Sequence, residues 1–244
     1  MKLIVLAAGY ATRLYPLTLD RPKPLLEVAG RPMLDRLLER VLAIGGIDET
    51  IVVTNAKFAG AFSDWASGRE GIVVLDDGTT SEEDRLGAIG DIGFVLEARA
   101  VDEDIVVVAG DNLFGSDIGD FGRRARELDT PVLAVHDVGD LAEMAKYNQV
   151  QIDDEGRITF FEEKPADATT TLAGIALYFY PRSTLALIRQ YLAEGNNPDQ
   201  PGRLVQWLYP RIPFYTWPVP CEWFDIGSHE SLADAHERFA ELDA

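Results

Sequence analysis

The sequence is poor in residues that build covalently or metal-clamped scaffolds. It has one cysteine, Cys221, among 244 residues, so no disulfide can form within the chain. Histidine is scarce too: His136, His229 and His236 stand far apart, without the spacing of a zinc site. No stretch reaches the roughly 18 apolar residues that a membrane span needs. The apolar start, Lys2 to Ala8, is too short for one and runs straight into a charged, glycine-containing loop, so it reads as a buried first strand rather than a signal peptide. No internal repeat or low-complexity tract is visible, and without the repeat that builds a β-helix a fused acetyltransferase is not expected. Positive charge is in deficit: 22 Lys and Arg face 41 Asp and Glu, a net charge of −19. That excludes a broad nucleic-acid surface, because phosphate backbones need a basic face. The expected location is the cytoplasm, with neither nucleic acid nor membrane as partner.

What is present is an ordinary globular composition, 47% hydrophobic and 26% charged, long enough to bury a sizeable core in one domain. Strands are expected at Leu3–Leu6, Thr50–Thr54, Ile72–Leu75, Asp104–Ala109 and Val132–His136. Helices between them are expected at Pro32–Ile44, Phe58–Trp65, Asp84–Ala100 and Ile118–Leu128, the third capped by Thr80 or Ser81. This alternation predicts an α/β fold with a mostly parallel sheet covered on both faces, a three-layer, Rossmann-like arrangement. After Asp137 the pattern turns mixed. Strands are expected at Val150–Ile152, Ile158–Glu162, Ile175–Tyr180 and Phe214–Trp217, and helices at Ser183–Ala193, Arg203–Tyr209 and Ser231–Leu242. One domain, 1–244, is expected, with a first part to about residue 140 and a mixed lobe from 141 to 244.

Ligands of parallel α/β sheets bind at the carboxyl ends of the strands. Three segments fall there: Ala7–Arg13, Asp76–Gly87 and Gly110-Asp111-Asn112. The first belongs to a locally basic region, since residues 1–40 carry seven basic and four acidic side chains in an otherwise acidic protein. Small residues after a strand let backbone N–H groups approach phosphate oxygens, Arg13 can bind phosphate as a fork, and Lys23 can act as a point charge. Leu6, Ala7, Ala8, Gly9, Tyr10, Ala11 and Thr12 thus form a candidate nucleotide-binding loop. The pattern is neither the dinucleotide GxGxxG nor the GxxxxGK[ST] loop.

Gly9-Tyr10-Ala11-Thr12-Arg13-Leu14, followed by Pro16, Thr18 and Pro22-Lys23-Pro24, resembles the signature of the sugar nucleotidyltransferase family, G-x-G-T-R-L-x-P-x-T-x-x-x-P-K-P. Ala11 stands where the second glycine is usual. Val106 to Asn112 resembles the family's strand ending in Gly-Asp-Asn, Glu162-Glu163-Lys164-Pro165 its E-K-P segment, and Glu222 to Ser228 its W-x-D-x-G segment. The resemblance implies the nucleotide-diphospho-sugar transferase type of fold, with a mixed sugar-binding lobe. It implies Mg²⁺ as cofactor, held by Asp111 and Asp225, with Asp111 also at the nucleotide. Arg13 would steady the β- and γ-phosphates, Lys23 the α-phosphate and Lys164 the sugar phosphate, with Glu163 on sugar hydroxyls. Asn112, Tyr147, Asn148, Gly174 and Trp223 would be further sugar-side contacts, Gly174 by letting the ring lie against a strand. The base-reading stretch 76–91 departs most. Its usual glutamine has no match, Gly87 aligns with the usual glycine, and Thr79, Thr80 and Ser81 could bond a base edge or cap a helix.

The reaction implied is nucleotidyl transfer from an NTP to a sugar-1-phosphate, giving an NDP-sugar and pyrophosphate. A homo-oligomer is compatible with the sequence. Two alternatives stay open: a cytidylyl- or guanylyltransferase acting on a non-sugar alcohol phosphate or a cofactor, and a catalytically silent sugar-nucleotide-binding regulator. A dinucleotide oxidoreductase is disfavoured by the missing glycine fingerprint.

Overall fold

A computed structural model describes residues 1–243. In chain order the strands and helices are β1 (Lys2–Leu6), β2 (Glu27–Val28), β3 (Arg31–Pro32), α1 (Met33–Val41), β4 (Glu49–Thr54), α2 (Ala59–Ala66), β5 (Ile72–Asp76), α3 (Ala88–Ala98), β6 (Ile105–Ala109), β7 (Asn112–Phe114), α4 (Gly119–Leu128), β8 (Val132–Asp137), β9 (Asn148–Ile152), β10 (Ile158–Glu163), β11 (Leu172–Tyr180), α5 (Leu185–Ala193), α6 (Pro201–Leu208), β12 (Tyr215–Pro218), β13 (Trp223–Asp225) and α7 (His229–Leu242). The main sheet has seven strands in the order β12-β8-β11-β6-β1-β4-β5. It is mostly parallel: β1 with β4, β4 with β5 and β12 with β8 run parallel, while β11 runs antiparallel to β8. The mixed α/β architecture read from the alternation is therefore the one observed. Among the described residues no helix is long and apolar enough to cross a membrane.

The chain divides into two compact units, each built from separate stretches. The first is Met1–Arg85, Val108–Asp120 and Pro220–Ala244; the second is Leu86–Val107 and Phe121–Val219. In the first unit β1 and β4 are β-branched runs buried along their length, as parallel strands covered on both faces require. Helix α1 buries Met33, Leu34, Leu37, Leu38 and Val41 at helical spacing. One core cluster gathers Leu14, Val28, Met33, Leu113, Ile226 and Phe239, tying the signature segment to the end of the chain. Buried Arg36 is part of this closure. Its guanidinium donates to the carbonyls of Val28 and Ala29 and to Asp243, and lies 5.0 Å from the Phe239 ring centre.

In the second unit β9 and β10 form an antiparallel ribbon, and β11 carries the buried aromatics Tyr178, Phe179 and Tyr180. Tyr180 meets Phe214 edge to face at 6.2 Å. Helix α3 starts at Ala88, not at Asp84 as the pattern suggests, and no Ser or Thr caps it. Gly87 precedes it at φ 79°, and the Ala88 and Ile89 N–H groups donate to the Asp199 and Pro198 carbonyls. The residues expected as caps are engaged elsewhere, as described below.

Candidate active site

The site in the first unit begins where β1 ends. Ala7 N–H donates to Val53 O, and the buried Asn55 amide donates to Ala8 O at 2.8 Å, which pins the start of the loop. Ala11 adopts a left-handed conformation, φ 48° and ψ 43°, and the Thr18 hydroxyl donates to its carbonyl at 2.8 Å. That conformation costs an L-residue roughly 1–2 kcal/mol, which is why glycine is usual there. A short 3₁₀ turn, Thr12–Leu14, follows and buries Leu14, leaving Arg13 exposed. A cleft of about 230 Å³ runs along Gly9–Leu14 and is completed by Lys23, Glu82, Arg85 and Gly227. Glu82 and Arg85 were not singled out from the sequence, and no spacing marks them; the fold of the 77–85 loop brings them there.

Lys23 opens a second 3₁₀ turn, Lys23–Leu25. Its ammonium, only 14% exposed, donates to Asp111 Oδ2 at 2.7 Å. Asp111 stands in the turn between β6 and β7, and β7 pairs antiparallel with β13, so that Asn112 lies opposite Asp225. Ile226 N–H donates to Asp111 O at 3.1 Å. Asp111 and Asp225, 114 positions apart in the chain, are thus brought close by a ribbon that the sequence did not announce. The capping box of α7 holds the following turn, with Ser228 and Ser231 exchanging bonds and Gly227 N–H donating to Ser231 Oγ.

The Asp225 carboxyl is pushed up to about 6, first by burial and then by the Asp111 charge, against the pull of Lys23 and Arg13. Asp225 is exposed at its own surface while protein crowds it on all other sides. The direction of the shift follows from that crowding and from the neighbouring carboxylate; the open face softens its size. Paired carboxylates with an unmet like-charge cost suit a hard dication, and Mg²⁺ is commonly held by one or two carboxylates together with substrate phosphates. The donor set therefore fits Mg²⁺. Among the described residues no group of three or more His, Cys, Asp and Glu is arranged around a metal.

Asn112 is buried. Its amide donates to Asp111 Oδ1 at 3.3 Å, and its Oδ1 accepts from the Trp223 indole N–H. The indole of Trp223 thus holds Asn112, which in turn reaches Asp111; the resemblance gives both residues as sugar-side contacts. The base-reading stretch is also rearranged. Thr79 N–H and hydroxyl donate to Asp77, and the N–H and hydroxyl groups of Thr80 and Ser81 donate to Asp84. Thr80 is thus occupied within its own loop. The Tyr10 ring lines the cleft, with its buried hydroxyl close to Thr79 but in no well-formed hydrogen bond.

The sugar-side residues lie in the second unit. Lys164 follows β10 in a left-handed conformation, φ 51°, and its N–H donates to Tyr147 O at 2.9 Å. Its side chain is exposed. Glu163 N–H donates to Gln206 Oε1 at 3.2 Å, and its carboxylate lies against Gly202 on α6, where a Cβ would collide with it. Burial pushes the Glu163 carboxyl up, and Lys164 and Arg203 oppose that. Asn148 is buried, with its amide spanning Gly174: Oδ1 accepts from Gly174 N–H at 2.7 Å and Nδ2 donates to Gly174 O at 2.9 Å. A Cβ on Gly174 would meet Leu133 Cδ2 at 2.6 Å and Asn148 Oδ1 at 3.0 Å. The glycine therefore makes room for protein neighbours here, and Asn148 is a bridge between strands. Gly87 likewise has a packing reason, since a Cβ would meet Asp199 Cα and Pro198 O, both at 2.7 Å.

A family model described as nucleotidyl transferase matches residues 2–241. A UTP–glucose-1-phosphate uridylyltransferase of Haloferax volcanii is 28% identical over 180 residues, 74% of this chain and 72% of that protein. A mannose-1-phosphate guanylyltransferase of Mycobacterium tuberculosis is 34% identical over 190 residues, 77% of this chain but only 50% of that longer protein. A crystal structure of UDP-glucose pyrophosphorylase with UDP-glucose shares the fold at a TM-score of 0.81, with 20% identity and 98% of both chains covered. From the signature loop to the closing carboxylate ribbon, the chain belongs to the nucleotidyl transferase family.

Proposed function

We propose that this protein transfers a nucleotidyl group from an NTP to a sugar-1-phosphate, forming an NDP-sugar and releasing pyrophosphate. The observation that carries this reading is the Lys23–Asp111 pair beside Asp225, at the end of the cleft along Gly9–Leu14. Neither sugar nor base is fixed by it; the relatives cited use UTP or a guanylyl donor by name.

The reaction needs no protein nucleophile. An oxygen of the sugar phosphate attacks the α-phosphorus in line, one P–O bond forms, and the bond to pyrophosphate breaks. The protein's part is to align two polyanions and offset the charge that develops. Exposed Arg13 lines the cleft and is placed to hold the β- and γ-phosphates as a fork. Lys23 is poised between Asp111 and the cleft, ready to take the α-phosphate. Asp111 and Asp225 would hold Mg²⁺, which supplies Lewis-acid charge neutralisation when bound. In the second unit Lys164 is assigned to the sugar phosphate and Glu163 to the sugar hydroxyls, with Gln206 and Gly202 fixing the position of Glu163.

Pyrophosphate release measured with five NTPs against several sugar-1-phosphates tests the reading. Lys23→Ala and Asp225→Asn should each lower turnover on the order of 10²–10³-fold. Full turnover in both variants, or no pyrophosphate with any substrate pair, would overturn it. The latter result would favour the silent sugar-nucleotide regulator.

A further inference from the structure

The second unit holds another cleft, of about 330 Å³, lined by Tyr191, Asn196, Asn197, Arg203, Gln206, Trp207 and Arg211. All but the first three come from α6 and the turn after it: Arg203 and Trp207 are one helical turn apart on α6, and Arg211 follows in the turn beyond its end. No acid lines it. The local sequence reinforces this: from Gln200 to Cys221 there are two arginines and not one Asp or Glu, in a chain that has 41 acids.

The two guanidinium groups are held in place without being neutralised. Arg211 lies flat over the Trp207 ring, 3.9 Å from its centre, and donates to Trp207 O at 2.6 Å. Arg203 donates through Nε to Gln200 Oε1 at 2.6 Å, and no carboxylate pairs with its two terminal NH₂ groups among the described residues. Neither has a carboxylate within ion-pair distance among the described residues, whereas Arg21, Arg31, Arg36, Arg40, Arg69, Arg182 and Arg238 all do. The Glu194 carboxylate stands at the edge of the cleft, where it accepts from the Asn196 amide at 3.2 Å and is held ionised in part by Trp207 and Arg211, while Glu163 feels Arg203 through its charge. An arginine fork whose orientation is already fixed loses less freedom on meeting an anion, and two such forks match a phosphate better than a lone carboxylate. The amides of Asn196, Asn197 and Gln206 add neutral donors and acceptors around them.

We infer that this cleft is a second anion site, which binds a small phosphate-bearing molecule through Arg203 and Arg211. It does not depend on the reaction proposed above. It does touch the same structure, because Gln206 accepts from Glu163 N–H and Arg203 stabilises the ionised Glu163. An occupant that engages Arg203 therefore weakens that support.

Trp207 supplies the probe. The protein has four tryptophans, so ¹⁵N-labelled material gives four indole N–H signals, and Trp207→Phe identifies the one in the cleft. The titrant is inorganic phosphate at constant ionic strength, with chloride as the balancing ion. The Trp207 signal should shift saturably, with affinity about tenfold weaker in Arg211→Ala and in Arg211→Gln. The shift should vanish in Arg203→Ala/Arg211→Ala. Phosphate binding at the first site would be read separately, from the Trp223 signal. Arg211→Ala should keep the other three indole signals and its basal turnover, which shows that it is folded. No saturable shift at Trp207, an equal shift with chloride, or an unchanged affinity in the double variant would overturn the inference.

Discussion

Replacing Asn148 by alanine separates a structural bridge from a ligand contact. In the second unit the Asn148 amide is 8% exposed and meets both backbone groups of Gly174, at 2.7 and 2.9 Å. Gly174 lies where the pairing of β11 with β8 loses its regular register, so the side chain supplies bonds to the irregular strand. Alanine leaves one buried N–H and one buried C=O unmet. At roughly 1–3 kcal/mol for each orphaned group, the expected loss is about 3 kcal/mol. With a urea slope of about 1–3 kcal/mol/M, the unfolding midpoint should fall by about 1 M or more. Asn148→Asp should cost less than alanine at Gly174 N–H but sets an acceptor against Gly174 O, so it should also destabilise. KM for the sugar phosphate, measured well below the new midpoint, should move little. An unchanged midpoint with a raised KM would refute the bridge and restore Asn148 as a sugar contact.

Ala11→Gly should raise stability by about 0.5–1 kcal/mol with turnover retained, because φ 48° is strained for alanine; a lower thermal midpoint would contradict this. The Asp225 carboxyl is raised to about 6 in the folded protein, so the folded state holds a proton that the unfolded chain has already released. The contribution of Asp225 to the stability of the metal-free protein should therefore rise as pH falls from 7 through 6 towards 4, by about 1 kcal/mol once its open face is allowed for. In Asp225→Asn this gain should be missing, read as the difference in thermal midpoint between variant and parent at pH 7 and pH 5. A difference that does not change with pH would show that Asp225 is not crowded as described.

Much of the fold was legible because its strands and helices carry strong periodic signals. The β-branched runs at 3–6, 50–54 and 105–109 and the stripe of α1 announce themselves, and the basic loop after β1 stands out against an acidic chain. What escaped the reading depends on long-range partners. Ribbon β7–β13 is only three residues per strand, too short for any pattern, yet it brings Asp225 opposite Asn112. The start of α3 was misplaced because Asp84 resembles an opening helical residue, while in the fold it collects bonds from Thr80 and Ser81. Gly174 and Asn148 look like ligand-facing residues in sequence, and only the packing of Leu133 explains the missing side chain. Nothing in the spacing of α6 pointed to Glu163, because that contact links residues whose order along the chain carries no period.

The first unit is assembled from three stretches, the last beginning at Pro220. Its closure includes Arg36 reaching Asp243 across a separation of 207 residues. Contacts so distant form slowly, since the intervening chain must be gathered first. The 7–14 loop shares in that closure, since Asn55 holds Ala8 and Leu14 packs with Ile226 and Phe239. A chain whose final segment has detached would lose Asp225 from beside Asp111 and uncover Leu14 at the same time. The carboxylate pair therefore exists only where the two ends of the chain have met.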